Sequence, residues 1–271
     1  MIVNYNFPIA VCIEGIDGSG KTTLIKNIRE KLVERQLAHD VYIDRFVMSN
    51  RWYNVNQGIT VNYDRLENSL VGKAIYLYLD VDSEVACRRL KEKQDHFSYS
   101  VLELSKMRDY YLRELAISKL PVLMIQQSYD VCEVIDKIDN HRMMLAVEQM
   151  AEKSACLKRK NGSALCSGNN LVSLEYNRVP VGCAPCKECL RVELSGGYRL
   201  EVCRSVHAEM LAINQGEGNI LYTKYFPCSI CARLMIEHGV IRIYYRFKDP
   251  DIDTSIASNL FEESGVVVEK L

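Results

Sequence analysis

The residues that most constrain the fold of this chain are three metal-type ligands divided between two short stretches, CRSVHAEMLAI (203–213) and KYFPCSICARLMI (224–236). For His207 to share an ion with Cys228 and Cys231, the starts of both stretches must meet at one point. The two cysteines are three apart behind Pro227, and a helix opened by that proline would turn both sulfurs the same way. A helix N-terminus also favours the thiolate form that zinc requires. One imidazole and two thiolates would leave the fourth zinc position open to water, which is the arrangement of a catalytic site. Glu209 stands two residues beyond His207 on the same expected helical turn, within reach of that water without being a ligand. The alternative is a core histidine with two buried thiols, since cysteine is commonly buried without a metal.

His-x-Glu followed by Pro-Cys-x-x-Cys resembles the signature of the zinc nucleobase deaminases, in which the glutamate moves protons and does not bind the ion. The chain from about residue 140 onward resembles the deoxycytidylate deaminases more specifically. The resemblance rests on SACLKR (154–159), GSALC (162–166), SLEYNRVPVG (173–182), CRSVHAE (203–209), YFPCSICARLMIEHGV (225–240) and a closing strand GVVVEKL (265–271). It implies a cytidine deaminase-like three-layer α/β/α domain, with helices presenting both metal motifs at one end of a central sheet. It also implies dCMP as substrate, Asn177 as the sugar-binding asparagine and Ala208 as a substrate contact. Glu175 and Arg178 stand where that family has glycines around the Tyr-Asn pair.

In many such relatives, cysteines matching Cys156, Cys186, Cys189 and Cys203 recur, and Cys186-x-x-Cys189 has the spacing of a structural zinc site. A second, closed zinc on these four residues is therefore expected, with Cys183 able to replace one ligand and free buried thiols as the alternative. The family further implies a homo-oligomer built through the deaminase domain, with regulation by dCTP and dTTP.

With 271 residues, 34 basic and 35 acidic side chains, the chain has room for about two domains and a formal net charge of −1. That balance gives no bulk attraction to nucleic acid or membrane, and no apolar run is long enough to span a bilayer. The N-terminal residues, MIVNYNFPIAVCIEG, lack a basic start and a cleavage site and read as a strand. A cytoplasmic location with reduced thiols fits, so the cysteines clustered after residue 150 point to metal rather than to disulfides. Cys12, Cys87, Cys132 and Cys166 read as small core residues.

The N-terminal half carries its own signature. A short buried-strand pattern (8–14) runs into Gly15-Ile-Asp17-Gly18-Ser19-Gly20-Lys21-Thr22 and then into the amphipathic LIKNIREKLVERQ (24–36). Strand, glycine loop and helix in that order are the context of a phosphate loop. Its amides, with Thr23 opening the helix, would cradle phosphates; Lys21 would reach the outer phosphates of ATP, and Thr22 would sit on Mg2+. A glycine turn without a ligand is the alternative.

EGIDGSGKTTL resembles the thymidylate kinases and related deoxynucleoside monophosphate kinases. VYIDRFVMSN (41–50), AIYLYLDVDSEVACRRLKEK (74–93) and VLMIQQSYDVCEVIDKI (122–138) extend the match. The resemblance implies Asp44 at magnesium or the acceptor, Arg45 on the acceptor phosphate, Asp17 at the sugar, and Arg89 as a lid charge, with Lys93 beside it. For Arg88 and Arg89 a solvated helix face is the competing reading. The strand and long helix that such kinases place before the Asp-Arg pair are missing.

The expectation is an α/β chain of two domains: a shortened, P-loop kinase-like parallel-sheet domain (1–139) and a zinc-dependent deaminase domain (140–271), joined near Asn140 without a linker. A helix is expected over 141–160, followed by two strands joined through Ser167-Gly168-Asn169-Asn170. The function expected is deamination of dCMP to dUMP together with ATP-dependent phosphorylation of a deoxynucleoside monophosphate, most simply dTMP. One alternative makes the first domain an inactive nucleotide sensor or oligomerisation module. Another makes the second domain a deaminase of free cytidine or of a polynucleotide, which the absence of a basic stripe opposes.

Overall fold

A computed structural model describes residues 7–34, 40–93, 99–194, 199–249 and 252–271. Arg35 and Gln36 of the expected first helix, and residues 1–6 of the expected first strand, lie outside these ranges. The chain divides into two compact units, residues 8–141 and residues 142–271 with Phe7.

In the first unit, four parallel strands lie in the order β2-β1-β3-β4: β1 (Ala10–Glu14), β2 (Val41–Asp44), β3 (Ala74–Asp80) and β4 (Val122–Gln126). AIYLYL in β3 is apolar at consecutive positions because a central parallel strand is covered on both faces, and all six residues are buried. Helix α1 (Lys21–Glu34) follows β1 through the glycine loop. Helices α2 (Val47–Asn56) and α3 (Asp64–Ser69) follow β2. Between β3 and β4 come α4 (Ser83–Glu92), N-capped by Asp82, and α5 (Val101–Ile117), opened by a Ser100/Glu103 capping box. Gly18 holds φ at +78°, and a Cβ there would stand 2.4 Å from the Ala86 carbonyl, so α4 packs directly onto the loop.

The second unit is built on a five-stranded sheet in the order β6-β5-β7-β8-β9: β5 (Gly162–Ser167), β6 (Asn170–Tyr176), β7 (Ile220–Tyr225), β8 (Arg242–Phe247) and β9 (Val267–Lys270). β5 and β6 form the expected hairpin, β7 runs antiparallel to β5, and β7, β8 and β9 are parallel. Side-chain alternation divides the core into two layers. Leu165, Leu221 and Ile243 join a cluster with α7 (Ala208–Ile213), α8 (Ser229–Glu237) and α9 (Ser255–Ser264), through Ala212, Met235 and Phe261. Their strand neighbours Ala164, Tyr222 and Tyr244 meet Met144 and Val147 on the opposite face. Helices therefore cover both faces.

The join near Asn140 takes a different form from the one expected. One helix, α6 (Val131–Ala151), runs through it without a break, because no glycine or proline interrupts residues 131–151. It ends at Ala151, well before the expected Lys160. Ser154 turns the chain away there, donating from Oγ to the Asn177 carbonyl and accepting from Cys156 N–H.

Candidate active site

Two helix starts converge at the end of the second sheet. His207 is the N-cap of α7 and Cys228 the N-cap of α8, each in extended conformation. Pro227 therefore lies one residue before the cap and not inside the helix as expected from its sequence position. His207 Nδ1 lies 3.3 Å from Cys231 Sγ and 3.5 Å from Cys228 Sγ. The three ligand atoms all fall within 4.8 Å of one another, the one such cluster of three or more among the described residues.

The electrostatics of the cluster suit a cation. The Cys231 hydrogen bond, helped by His207, pulls the Cys228 thiol down to about 4 despite burial. Cys231 moves the opposite way because it donates to Cys228, and burial adds to that shift. His207 rises to about 9, held charged chiefly by its hydrogen bond to Cys228. The two sulfurs thus share one proton and the imidazole holds another, and a dication would displace both. One imidazole and two thiolates make a donor set that fits zinc and leaves room for a further ligand.

Glu209, the second residue of α7, is 3% exposed. Burial raises its pKa above the usual carboxylate range. Its Oε1 accepts from Asn161 Nδ2 at 3.0 Å and from Thr223 Oγ1 at 3.3 Å. Its Oε2 is buried with no hydrogen-bond partner. Ala208 beside it is fully buried at the start of α7. A cavity of about 120 Å³ opens onto this group, lined by Arg159, Asn161, Asn177, His207, Glu209 and Phe226 among others.

Asn177 faces the cavity, but both ends of its amide are engaged. Oδ1 accepts from Asn161 N–H at 2.7 Å, and Nδ2 donates to the Arg159 carbonyl at 2.9 Å. It orders the turn into β5, a duty that the sequence reading did not give it. Arg159 lies 4.9 Å over the Tyr225 ring and pairs with Asp249. Lys158 donates to the Arg191 carbonyl at 2.5 Å and to that of Leu194. Asn161 and Thr223 were missed in the sequence, where no motif marks them. They lie 48 and 14 residues from Glu209 along the chain.

The cysteines expected to hold a second zinc gather around one cavity. Cys156, Cys183, Cys186, Cys189 and Cys203 all line a neighbouring cavity of about 360 Å³, yet no three of them bring their sulfurs together as His207, Cys228 and Cys231 do. Cys156 Sγ instead accepts from Arg159 N–H at 3.5 Å. Cys12, Cys87 and Cys166 are buried as expected, and Cys132 is half-buried.

In the first unit the glycine loop folds around Lys21, whose Nζ donates to the Gly15 and Ile16 carbonyls at 2.7 and 3.0 Å. Burial lowers the Lys21 pKa. Thr22 Oγ1 donates to Asp44 at 3.2 Å, and Arg89 reaches the Ser19 carbonyl at 3.0 Å from α4. Asp17 accepts from Tyr53 at 2.6 Å and pairs with Arg45 at 3.0 Å. Gly20 and Thr23 flank Lys21 at the start of α1, while Arg88 and Lys93 are exposed.

Comparison with known proteins finds one family model and several relatives. Residues 137–247 match the family model described as the cytidine and deoxycytidylate deaminase zinc-binding region. The chain is 31% identical over 126 residues to a deoxycytidylate deaminase of Schizosaccharomyces pombe, covering 43% of this chain but only 38% of that one. It is 30% identical over 108 residues to the deoxycytidylate deaminase of Mycobacterium phage D29, covering 35% of this chain and 84% of that one. A probable thymidylate kinase of Sulfolobus acidocaldarius is 24% identical over 180 residues, with 47% of this chain and 92% of that one covered. Among solved structures, the dCMP deaminase of cyanophage S-TIM5 aligns at 20% identity with a TM-score of 0.39, over 49% of this chain and 96% of that one. Among the described residues, no helix is long and apolar enough to cross a membrane.

Proposed function

This chain belongs, through its second half, to the deoxycytidylate deaminase family, and from that premise we propose that it converts dCMP and water to dUMP and ammonia. The observation that carries the reading is the unpartnered, buried Oε2 of Glu209 beside His207, Cys228 and Cys231. A buried carboxylate oxygen left without a donor is costly unless a substrate or water completes it.

His207, Cys228 and Cys231 would hold zinc, which when bound supplies the acidity that makes water a nucleophile at neutral pH. Glu209 Oε2 takes up the proton released as oxygen adds at C4 of the cytosine ring and passes it to the ring nitrogen; it then takes the second proton, from the hydroxyl on C4 as that becomes the carbonyl, and delivers it to the departing amine. Burial favours the protonated form of Glu209, so the side chain can hold the proton between these transfers. Asn161 and Thr223 occupy Oε1 throughout, which leaves Oε2 as the atom that moves protons. Phe226 and Tyr225 line the cavity with apolar surface that excludes bulk water.

For the first unit, the reading is a nucleotide site that transfers phosphate from Mg-ATP to a deoxynucleoside monophosphate, most simply dTMP. Its support is the glycine loop between strand and helix, the Thr22 to Asp44 contact, and the similarity to a probable thymidylate kinase. Lys21 would exchange its two loop carbonyls for phosphate oxygens, and Arg89 stands at the same loop.

One assay tests both halves. The zinc-loaded protein is incubated with Mg-ATP and each of dCMP, dTMP, cytidine and a cytosine-containing oligonucleotide, and all products are separated. Formation of dUMP from dCMP supports the deaminase reading, and turnover of the oligonucleotide alone refutes it. ADP release with dTMP supports the kinase reading; nucleotide binding without ADP release under any monophosphate replaces it with a sensor.

A further inference from the structure

Asn161 lies one residue before β5 and is 9% exposed, with its side chain at the wall of the cavity beside Glu209. Its two amide atoms are in opposite situations. Nδ2 donates to Glu209 Oε1 at 3.0 Å and approaches Thr223 Oγ1 at 3.4 Å. Oδ1 is buried and has no partner. While Glu209 is ionised the amide keeps this orientation, because exchanging its ends would set its oxygen against the carboxylate. The backbone holds the side chain in place from below: Asn161 N–H donates to Asn177 Oδ1 at 2.7 Å, and its carbonyl accepts from Asn177 N–H at 3.0 Å.

A buried carbonyl oxygen with no donor costs about 1–3 kcal/mol unless a ligand completes it. What is missing is an N–H or O–H donor, and the Asn161 side chain belongs to the wall of the cavity beside Glu209. Resting on the deaminase reading above, the reaction offers one group that is a donor from start to finish. The amine at C4 is a planar donor in the substrate, a tetrahedral amine as it leaves, and ammonia at the end. Its positive character grows as Glu209 delivers a proton to it, so an acceptor there binds the transition state more tightly than the ground state.

We infer that Asn161 Oδ1 is the acceptor for the departing 4-amino group, and that the same side chain fixes Glu209 through Nδ2. Asn161 is thereby a residue that selects 4-amino over 4-oxo pyrimidines. The product dUMP brings a carbonyl oxygen to the same place, which Oδ1 repels, so product release is favoured.

The test compares two substrates on the zinc-loaded full chain: dCMP, and the deoxynucleotide in which a methoxy group replaces the 4-amino group. Both need addition at C4 and a proton on the leaving group, but only dCMP carries an N–H there. Asn161→Ala should lower kcat/KM for dCMP about 10- to 100-fold and lower that for the methoxy analogue much less, at unchanged zinc content. Equal loss on both substrates means that Asn161 acts only by ordering Glu209 or the fold, and overturns the inference, as does full activity on dCMP. Asn161→Asp covers the case in which the alanine variant does not fold. It keeps the acceptor and the volume while pushing against Glu209, so both rates should fall and their ratio should stay that of the wild type. A shifted ratio in that variant also overturns the inference. Absence of dCMP turnover by the wild-type protein would instead remove the deaminase reading, and this inference with it.

Discussion

Replacing Glu209 by alanine should separate activity from metal binding and from stability. The kinetic cost is large because one oxygen, Oε2, is assigned every proton transfer. General acid–base catalysis contributes about 10²–10⁴-fold, and loss of both the uptake and the delivery step places this variant near the upper end.

The effect on stability is small because two terms oppose each other. Removal forfeits hydrogen bonds from Asn161 and Thr223, each worth about 0.5–1.5 kcal/mol to a carboxyl group that burial biases toward its protonated form. It also abolishes the burial of a carboxylate whose Oε2 has no partner, a penalty of about 1–3 kcal/mol or more. The freed donors can satisfy each other, since Asn161 Nδ2 already stands 3.4 Å from Thr223 Oγ1. The net change should stay within about 2 kcal/mol. The assay pairs dUMP production, followed by chromatography, with zinc per chain by atomic absorption and with calorimetry. Glu209→Ala retaining zinc and melting near the wild type, yet losing about three or four decades of kcat, is the expected result. A variant within tenfold of wild-type activity would refute the role, and one that loses its zinc would make Glu209 a structural element of the metal site.

Cys231→Ser should weaken zinc binding by more than about 100-fold, read by competition with a chromophoric chelator; wild-type affinity would exclude Cys231 as a ligand. Gly162→Ala should destabilise the second unit by about 1–3 kcal/mol or more, because the new Cβ would sit 2.1 Å from the Val147 carbonyl of α6. An unchanged melting temperature would show that α6 can move off β5. Glu14, buried beneath α2 and accepting N–H groups from Phe46, Met48 and Ser49, has its pKa raised chiefly by burial. Its stability contribution is therefore full below the unfolded carboxylate pKa and is lost as pH rises through the folded value. The melting temperature of the wild type minus that of Glu14→Gln should fall as pH rises above the ordinary carboxylate range, and a flat difference would contradict the shift.

How much of this could be read from the residues depends on how far apart the partners lie. The His207, Glu209, Cys228 and Cys231 spacing was legible because each ligand pair is fixed by the local geometry of a helix start, and the structure brings the three ligands together. The phosphate-loop pattern was legible for the same reason, as strand, loop and helix are contiguous. Asn161 was not, because its meeting with Glu209 is made by the packing of α7 onto β5 and leaves no trace in spacing. Asn177 carried a family role from its motif, but the motif could not reveal that its amide is spent on Asn161 and Arg159. Cys186-x-x-Cys189 fixes one local pair by spacing, whereas only tertiary structure brings Cys156 and Cys203 to the same cavity. The continuity of α6 was legible from the lack of glycine and proline, and the two family resemblances meeting near Asn140 drew attention away from it.

The central claim is that His207, Cys228 and Cys231 hold a zinc ion at which dCMP is deaminated. Its most direct test is to titrate metal-free protein with zinc while measuring dUMP formation from dCMP. The account predicts that turnover rises in proportion to added zinc and stops rising at one equivalent per chain. Turnover that is independent of zinc, or no dUMP once one equivalent is bound, would contradict it.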